Sequence, residues 1–312
     1  MTSTTDLSPQ ALAGAPRKGS FDARWPDFLV IGVPRSGTTT LHAVLDSAPS
    51  ICMSAVKEPR YFHSSDDFAL FSRRVSDTEE YLKLWAGCAP SQLKGEASPT
   101  YFLDPCCPAA VRAAVPLAHL VVILRNPVDR AISHFHYREK RTGKSDLTLD
   151  AAIDAAESSR PGDYERRYLL QPGFYGRHLR RWLDYFDAAQ IKILLLERLA
   201  GDFKKEMEGL FEFLGLPVEE VAALEPMKRN AASLPRSRAA ARLMQAGLAR
   251  RLVRFLHAEQ LAMSLGGRLL TKKSNYTGAS TADRARLFSI YRDDILDFEA
   301  LTGIDTGWLR RD

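Results

Sequence analysis

The segment Gly32-Val-Pro-Arg-Ser-Gly-Thr-Thr-Thr40 gathers residue types suited to holding an anion. Gly32 and Gly37 permit a sharp turn. The hydroxyls of Ser36, Thr38, Thr39 and Thr40 can donate hydrogen bonds, and Arg35 adds a permanent charge with a planar fork of donors. The segment follows an apolar run and opens a helix-compatible stretch, the setting in which backbone N–H groups cradle phosphate. Its spacing nearly matches the G-x-x-x-x-G-K-[ST] loop of nucleoside triphosphatases, but Thr38 stands where the lysine belongs. The loop is therefore read as holding a phosphate of lower charge, with Arg35 as its cation. A second candidate is Leu124-Arg-Asn-Pro-Val-Asp-Arg-Ala-Ile-Ser133. Arg125 can grip a phosphate in bidentate fashion, Pro127 suits the first turn of a helix, and Ser133 offers a hydroxyl about two turns in. Arg130 is assigned a salt bridge or a place lining the site.

Buried strands must position these segments. Phe28-Leu-Val-Ile-Gly32, Leu120-Val-Val-Ile-Leu124 and Ile191-Lys-Ile-Leu-Leu-Leu196 are short apolar runs rich in branched residues, the pattern of strands covered on both faces. Helices are expected over 38–45, after Pro127, over 175–186, 238–257 and 283–302. Strands separated by helical crossovers imply an α/β fold, a three-layer α/β/α sandwich on a central parallel sheet. Ligands bind such sheets at the carboxyl ends of the strands, just after Ile31, Leu124 and Leu196. One domain over 26–312 is expected, preceded by a Ser-, Thr-, Ala-, Gly- and Pro-rich tail over 1–25 with no apolar signal region.

Composition narrows the function classes. The 312 residues are 45% hydrophobic and 26% charged, which excludes collagen-like and wholly disordered chains. No apolar run approaches transmembrane length. The four cysteines, Cys52, Cys88, Cys106 and Cys107, show no zinc-ligand spacing and are read as reduced cytoplasmic thiols, with a disulfide framework as the alternative. Net charge is +5, yet residues 228–273 alone carry 11 Lys or Arg against Glu259, so the remainder is acidic overall. Such a block suits an anionic partner. Phe255 is its one aromatic residue, which speaks against base stacking and hence nucleic acid. A basic amphipathic helix over 238–257 could instead rest on an anionic membrane surface.

Val33-Pro-Arg-Ser-Gly-Thr-Thr-Thr-Leu41 resembles the 5′-phosphosulfate loop of sulfotransferases that use 3′-phosphoadenosine 5′-phosphosulfate (PAPS), and the Arg125–Ser133 segment is similar to their 3′-phosphate motif. Lys57-Glu-Pro-Arg-Tyr-Phe62 looks like the segment carrying the catalytic carboxylate in heparan-sulfate-type members. Gly95-Glu-Ala-Ser-Pro-Thr-Tyr-Phe102 resembles a substrate-cleft segment, and 172–183 the G-x-Y helix ending in Trp-Leu. Residues 291–311 resemble the C-terminal helix and tail of the N-sulfotransferase branch, and Lys272 and Lys273 fall where that branch has a basic loop closing over the nucleotide. In that branch a lysine often follows the position of Glu96; here Ala97 does, so the acceptor need not be a sulfated polysaccharide.

The resemblance implies PAPS as donor, no metal, and an acceptor hydroxyl or amine of a carbohydrate, glycolipid or natural product. Arg35 to Thr40 would hold the 5′ side, Arg125 and Ser133 the 3′-phosphate, and Lys272 and Lys273 the phosphates from above. Glu58 is the expected base, with its pKa raised by desolvation; His63 is the competing base. Arg35 and Lys57 would stabilise charge on the transferring group. Glu96 and Tyr101 are expected in the acceptor cleft. A nucleotide kinase or NTPase of similar fold, and a protein binding anionic membrane surfaces, remain the competing classes.

Overall fold

The computed structural model describes residues 23–64, 74–142, 147–159, 166–226, 233–235, 271–273 and 279–310. The expected helix over 238–257 lies outside them. In chain order the elements are β1 (Phe28–Gly32), α1 (Thr38–Asp46), β2 (Ile51–Met53), α2 (Thr78–Leu82), β3 (Leu93–Ala97), α3 (Cys107–Ala114), β4 (His119–Leu124), α4 (Pro127–Thr142), α5 (Leu149–Ser158), α6 (Tyr175–Leu183), β5 (Ile191–Leu195), α7 (Leu196–Gly201), α8 (Phe203–Leu214), β6 (Ser233–Pro235), β7 (Thr271–Lys273) and α9 (Thr281–Thr302). β1 to β5 form one parallel sheet in the order β2-β3-β1-β4-β5.

Alternate side chains of the central strands feed two separate cores. Leu29 and Ile31 of β1 join Leu120, Val122 and Leu124 of β4 beneath α3 to α6 and α9. Phe28 and Val30 join Val121 and Ile123 against α1 and α8. Period-2 alternation thus covers both sheet faces with helices, which makes the three layers. The expected strands β1, β4 and β5 are present. β2 and β3 were not expected: Leu93-Lys-Gly-Glu-Ala97 carries weak strand formers and is held by pairing with β1 on one side and β2 on the other. Gly95 is needed there, because a Cβ would meet Phe28 Cζ at 2.2 Å.

Four expectations are corrected. Lys272 and Lys273 belong to β7, an antiparallel partner of β6, and not to a loop. The tail boundary falls earlier than residue 25, since Trp25 packs on Tyr61 and Tyr81 with ring centroids 5.8 Å away in each case. The cysteines are not all thiols: Cys52 of β2 is bonded to Cys88, leaving Cys106 and Cys107 free. Glu96 and Tyr101 are fully buried and line no cleft. The Tyr81 hydroxyl donates to Glu96 Oε2 at 3.1 Å, and burial pushes the Glu96 carboxyl up to about 8. Among the described residues no helix is long and apolar enough to cross a membrane.

Two measurements follow from these packing facts. Thiol titration of the unfolded, unreduced protein should find two thiols, and finding four would remove the Cys52–Cys88 bond. Between the ordinary carboxyl value of 4.5 and about 8, the folded chain holds a proton on Glu96 that the unfolded chain has released. Stability should therefore fall as pH rises through that window. Glu96→Gln should flatten the fall and raise the melting temperature at pH 9 relative to the parent; an unchanged pH dependence would show that Glu96 is not held neutral.

Candidate functional site

The candidate groups gather at the carboxyl edge of the sheet. β1 ends in a register shift between Val30 and Gly32, and the Val33 N–H donates to Ile123 O at 3.0 Å. The irregularity directs the chain out of the sheet and into α1. Gly37 caps α1 at φ 93°, in the left-handed region that glycine tolerates, and no side chain caps the helix. The helix N-terminus is thus left for an anion. Ser36 is 0% exposed and its Oγ has no hydrogen-bond partner among the described residues. An orphaned buried hydroxyl beside an uncapped helix start fits a phosphate oxygen. Thr38 is buried, Thr40 half-buried and Thr39 exposed.

α4 brings the second motif alongside. Asn126 Oδ1 accepts from the N–H groups of Val128 at 3.0 Å and Asp129 at 3.3 Å, which caps the helix that Pro127 opens. Arg35 Nε and Nη2 both donate to Ser133 Oγ at 3.3 Å. The two motifs, 98 residues apart in sequence, therefore meet through side chains. The Arg35 guanidinium also lies 4.5 Å over the Tyr137 ring. Tyr137 had no role in the sequence reading; its spacing of four from Ser133 was the available signal. The Arg125 side chain is half-buried and makes no hydrogen bond among the described residues. Its carbonyl accepts from the Tyr175 hydroxyl at 2.7 Å. Arg130 makes no salt bridge among the described residues and does not line the site. It is 0% exposed and donates to the carbonyls of Tyr168 and Leu169.

The carboxylate segment follows β2 and passes the end of β3. The Glu58 N–H donates to Ala97 O at 3.1 Å, and the Arg60 N–H to Ser98 Oγ at 3.1 Å. Glu58 Oε1 accepts from Lys57 Nζ at 2.9 Å and Oε2 from Arg60 Nη2 at 2.6 Å. The Glu58 side chain remains 28% exposed. Burial pushes its pKa up, but Lys57 and then Arg60 outweigh burial and hold it below the ordinary carboxylate value. The expected upward shift is thus reversed in direction. Among the described residues, Arg35, Glu58 and Arg60 are the non-glycine residues at positive φ (74°, 59° and 58°), and all three lie at this edge. Strained backbone concentrated at one place is a mark of a functional site.

The competing histidine is closed off. His63 is buried, with Nδ1 2.8 Å from Asp104 Oδ2 and Nε2 2.7 Å from Thr100 Oγ1. Cys107 Sγ lies 3.7 Å from the same Nδ1. Both ring nitrogens are engaged within the fold, so His63 does not face an acceptor. His134 stacks on Tyr168 at 6.0 Å, and burial, then Arg130 and Arg35, hold it neutral. His42 is also lowered, first by burial and then by Lys57. His136 pairs with Glu139 at 3.1 Å.

The remaining similar segments serve as support. Gly173 lies under the Tyr291 ring, and the Tyr291 hydroxyl donates to Leu170 O at 3.0 Å. Trp308 packs on Tyr175 at 5.6 Å, and Trp182 is 0% exposed. Tyr175 bonds the Arg125 carbonyl, and Trp308 packs on its ring from behind.

Comparison with known proteins bears on the family and the fold. The family model for the sulfotransferase domain matches residues 25–239. Human bifunctional heparan sulfate N-deacetylase/N-sulfotransferase 2 is 28% identical over 204 residues, covering 62% of this chain and 22% of that protein. Human heparan sulfate glucosamine 3-O-sulfotransferase 3B1 is 29% identical over 199 residues, covering 64% and 48%. This chain thus spans about a quarter to a half of the length of those relatives. A sulfotransferase from Alicyclobacillus acidocaldarius shares the fold at a TM-score of 0.65 and 22% identity, over 92% of this chain and 99% of that one. The family match over residues 25–239, more than half of the chain, places this protein in the sulfotransferase domain family.

Proposed function

We propose that the chain transfers a sulfuryl group from PAPS to a hydroxyl or amine of an acceptor, releasing adenosine 3′,5′-bisphosphate. The observation that carries the reading is the contact of Arg35 with Ser133, which places the two phosphate motifs side by side over an uncapped helix. The orphaned Ser36 hydroxyl supports the same use. PAPS, when bound, supplies an SO₃ unit on a phosphate leaving group. The N-terminus of α1, with Ser36, Gly37, Thr38, Thr39 and Thr40, holds the 5′ side. Arg125 and Ser133 hold the 3′-phosphate. Arg35 stabilises negative charge as it develops on the leaving oxygen. Lys272 and Lys273 of β7 remain candidates for the nucleotide phosphates.

Glu58 takes the acceptor proton while the acceptor oxygen or nitrogen bonds to sulfur, and the electron pair of the broken S–O bond stays on the phosphate. Lys57 is the group that can leave Glu58 for the sulfonate oxygens, and its departure raises the basicity of the carboxylate. Carbohydrate leads the acceptor classes, because the relatives are named for heparan sulfate. Peripheral contact with anionic lipid through 238–257 is a further part of the reading, supported by the basic block and tested by vesicle flotation at low and high salt. Cytoplasmic location loses its thiol argument to the Cys52–Cys88 bond.

Calorimetry with adenosine 3′,5′-bisphosphate, against ATP with Mg²⁺, tests the donor. The bisphosphate should bind selectively, and Arg125→Ala should weaken it by roughly 1.5–3 kcal/mol, the range for a charged hydrogen bond. Preference for ATP would favour the kinase reading. Glu58→Gln should leave that affinity nearly intact and lower kcat by about 10²–10⁴-fold. The base works when ionised, and Lys57 is the leading charge that lowers Glu58. Lys57→Met should therefore move the acidic limb of the kcat/KM profile to higher pH; an unmoved limb would detach Glu58 from it.

A further inference from the structure

We infer that Tyr137 is a positioning residue for sulfuryl transfer: its ring face and the Ser133 hydroxyl together aim the Arg35 guanidinium. The inference rests on the donor reading above, which gives Arg35 the leaving phosphate. Arg35 is exposed and its side chain is long, so an unsupported guanidinium would sample many rotamers. Three features narrow that freedom. The Arg35 backbone sits at φ 74°, which sets the direction in which the side chain starts. Nε and Nη2 share Ser133 Oγ as acceptor at 3.3 Å, which fixes rotation within the guanidinium plane. The ring of Tyr137 lies 4.5 Å from Cζ, which fixes the plane itself.

The support comes from one helix face. Ser133 and Tyr137 are four residues apart on α4 and therefore neighbours one turn apart. The helix that presents the 3′-side hydroxyl also carries the platform for the 5′-side cation. Only a flat cation uses both at once, stacking with its face and donating with its edge. His134, on the same helix, has its ring 6.4 Å from Tyr137 and is held neutral by burial and the surrounding arginines. It adds no competing charge beneath Arg35.

The test is a double-mutant cycle in the full chain, with adenosine 3′,5′-bisphosphate affinity and melting temperature measured for every variant. Tyr137→Leu should lower kcat about two- to fivefold, equivalent to about 0.5–1 kcal/mol, with little change in KM for PAPS. Tyr137→Phe, which keeps the ring, should restore the parent rate. In an Arg35→Gln background, Tyr137→Leu should cost nothing further. An equal loss in both backgrounds, or a Phe variant as slow as the Leu variant, overturns the positioning role while bisphosphate binding stays intact. Failure of the parent protein to bind the bisphosphate overturns the donor reading and this inference with it.

Discussion

Parallel pairing of β1 with β4 is the contact on which the site depends. Strands that run parallel and in near register release their following loops at the same edge. Val33 is bonded to Ile123 as β1 ends, so the phosphate loop leaves the sheet beside the exit of β4. Arg35 can then reach Ser133, and no further segment is needed to bring them together. Pairing on the other flank has the matching effect. β3 lies between β1 and β2; its last residue, Ala97, and Ser98 just beyond it receive the backbone N–H groups of Glu58 and Arg60. The strand order therefore lays out the chemistry along one edge: carboxylate, central phosphate loop, then the second phosphate motif.

Glu58 shows how two opposed effects are settled locally. Burial alone would make it a strong base, and the cations beside it make it an easily ionised one. The cations prevail because both carboxylate oxygens are engaged, one by Lys57 and one by Arg60. Arg60 is buried and held through its backbone by Ser98, whereas Lys57 is 26% exposed. The pair is thus asymmetric: one cation is buried and the other partly open to solvent.

Legibility followed the range of the interactions. β1 and β4 are central, covered strands and β5 is an edge strand, and all three announce themselves by branched apolar runs. The phosphate loop is equally local, since its glycines, hydroxyls and arginine act within nine residues. β3 was hidden because Lys94, Gly95 and Glu96 are poor strand formers, and tertiary pairing overrides that preference. Glu96 and Tyr101 resemble cleft residues by the segment that carries them; Tyr81 bonded to Glu96, and Phe62 and His63 packed on Tyr101, make them core. The Cys52–Cys88 bond joins residues 36 apart, a proximity that spacing does not encode. The charge balance at Glu58 depends on which cation reaches which oxygen, and that is a matter of ångströms.

The similar segments divide into those at the candidate site and those that pack behind it. Tyr175 belongs to the second kind. Its hydroxyl holds the Arg125 carbonyl, and Trp308 and Phe298 pack around its ring. Arg130 belongs there too, since its buried charge is spent on the carbonyls of Tyr168 and Leu169. A buried cation without its hydrogen bonds would be costly, so these carbonyls and α4 hold one another in place. Ser133 and Tyr137 lie on the same helix, about one and two turns beyond Arg130. The exposed Arg35 and the buried Arg130 thus bear on the same helix, one through the Ser133 hydroxyl and the other from within α4.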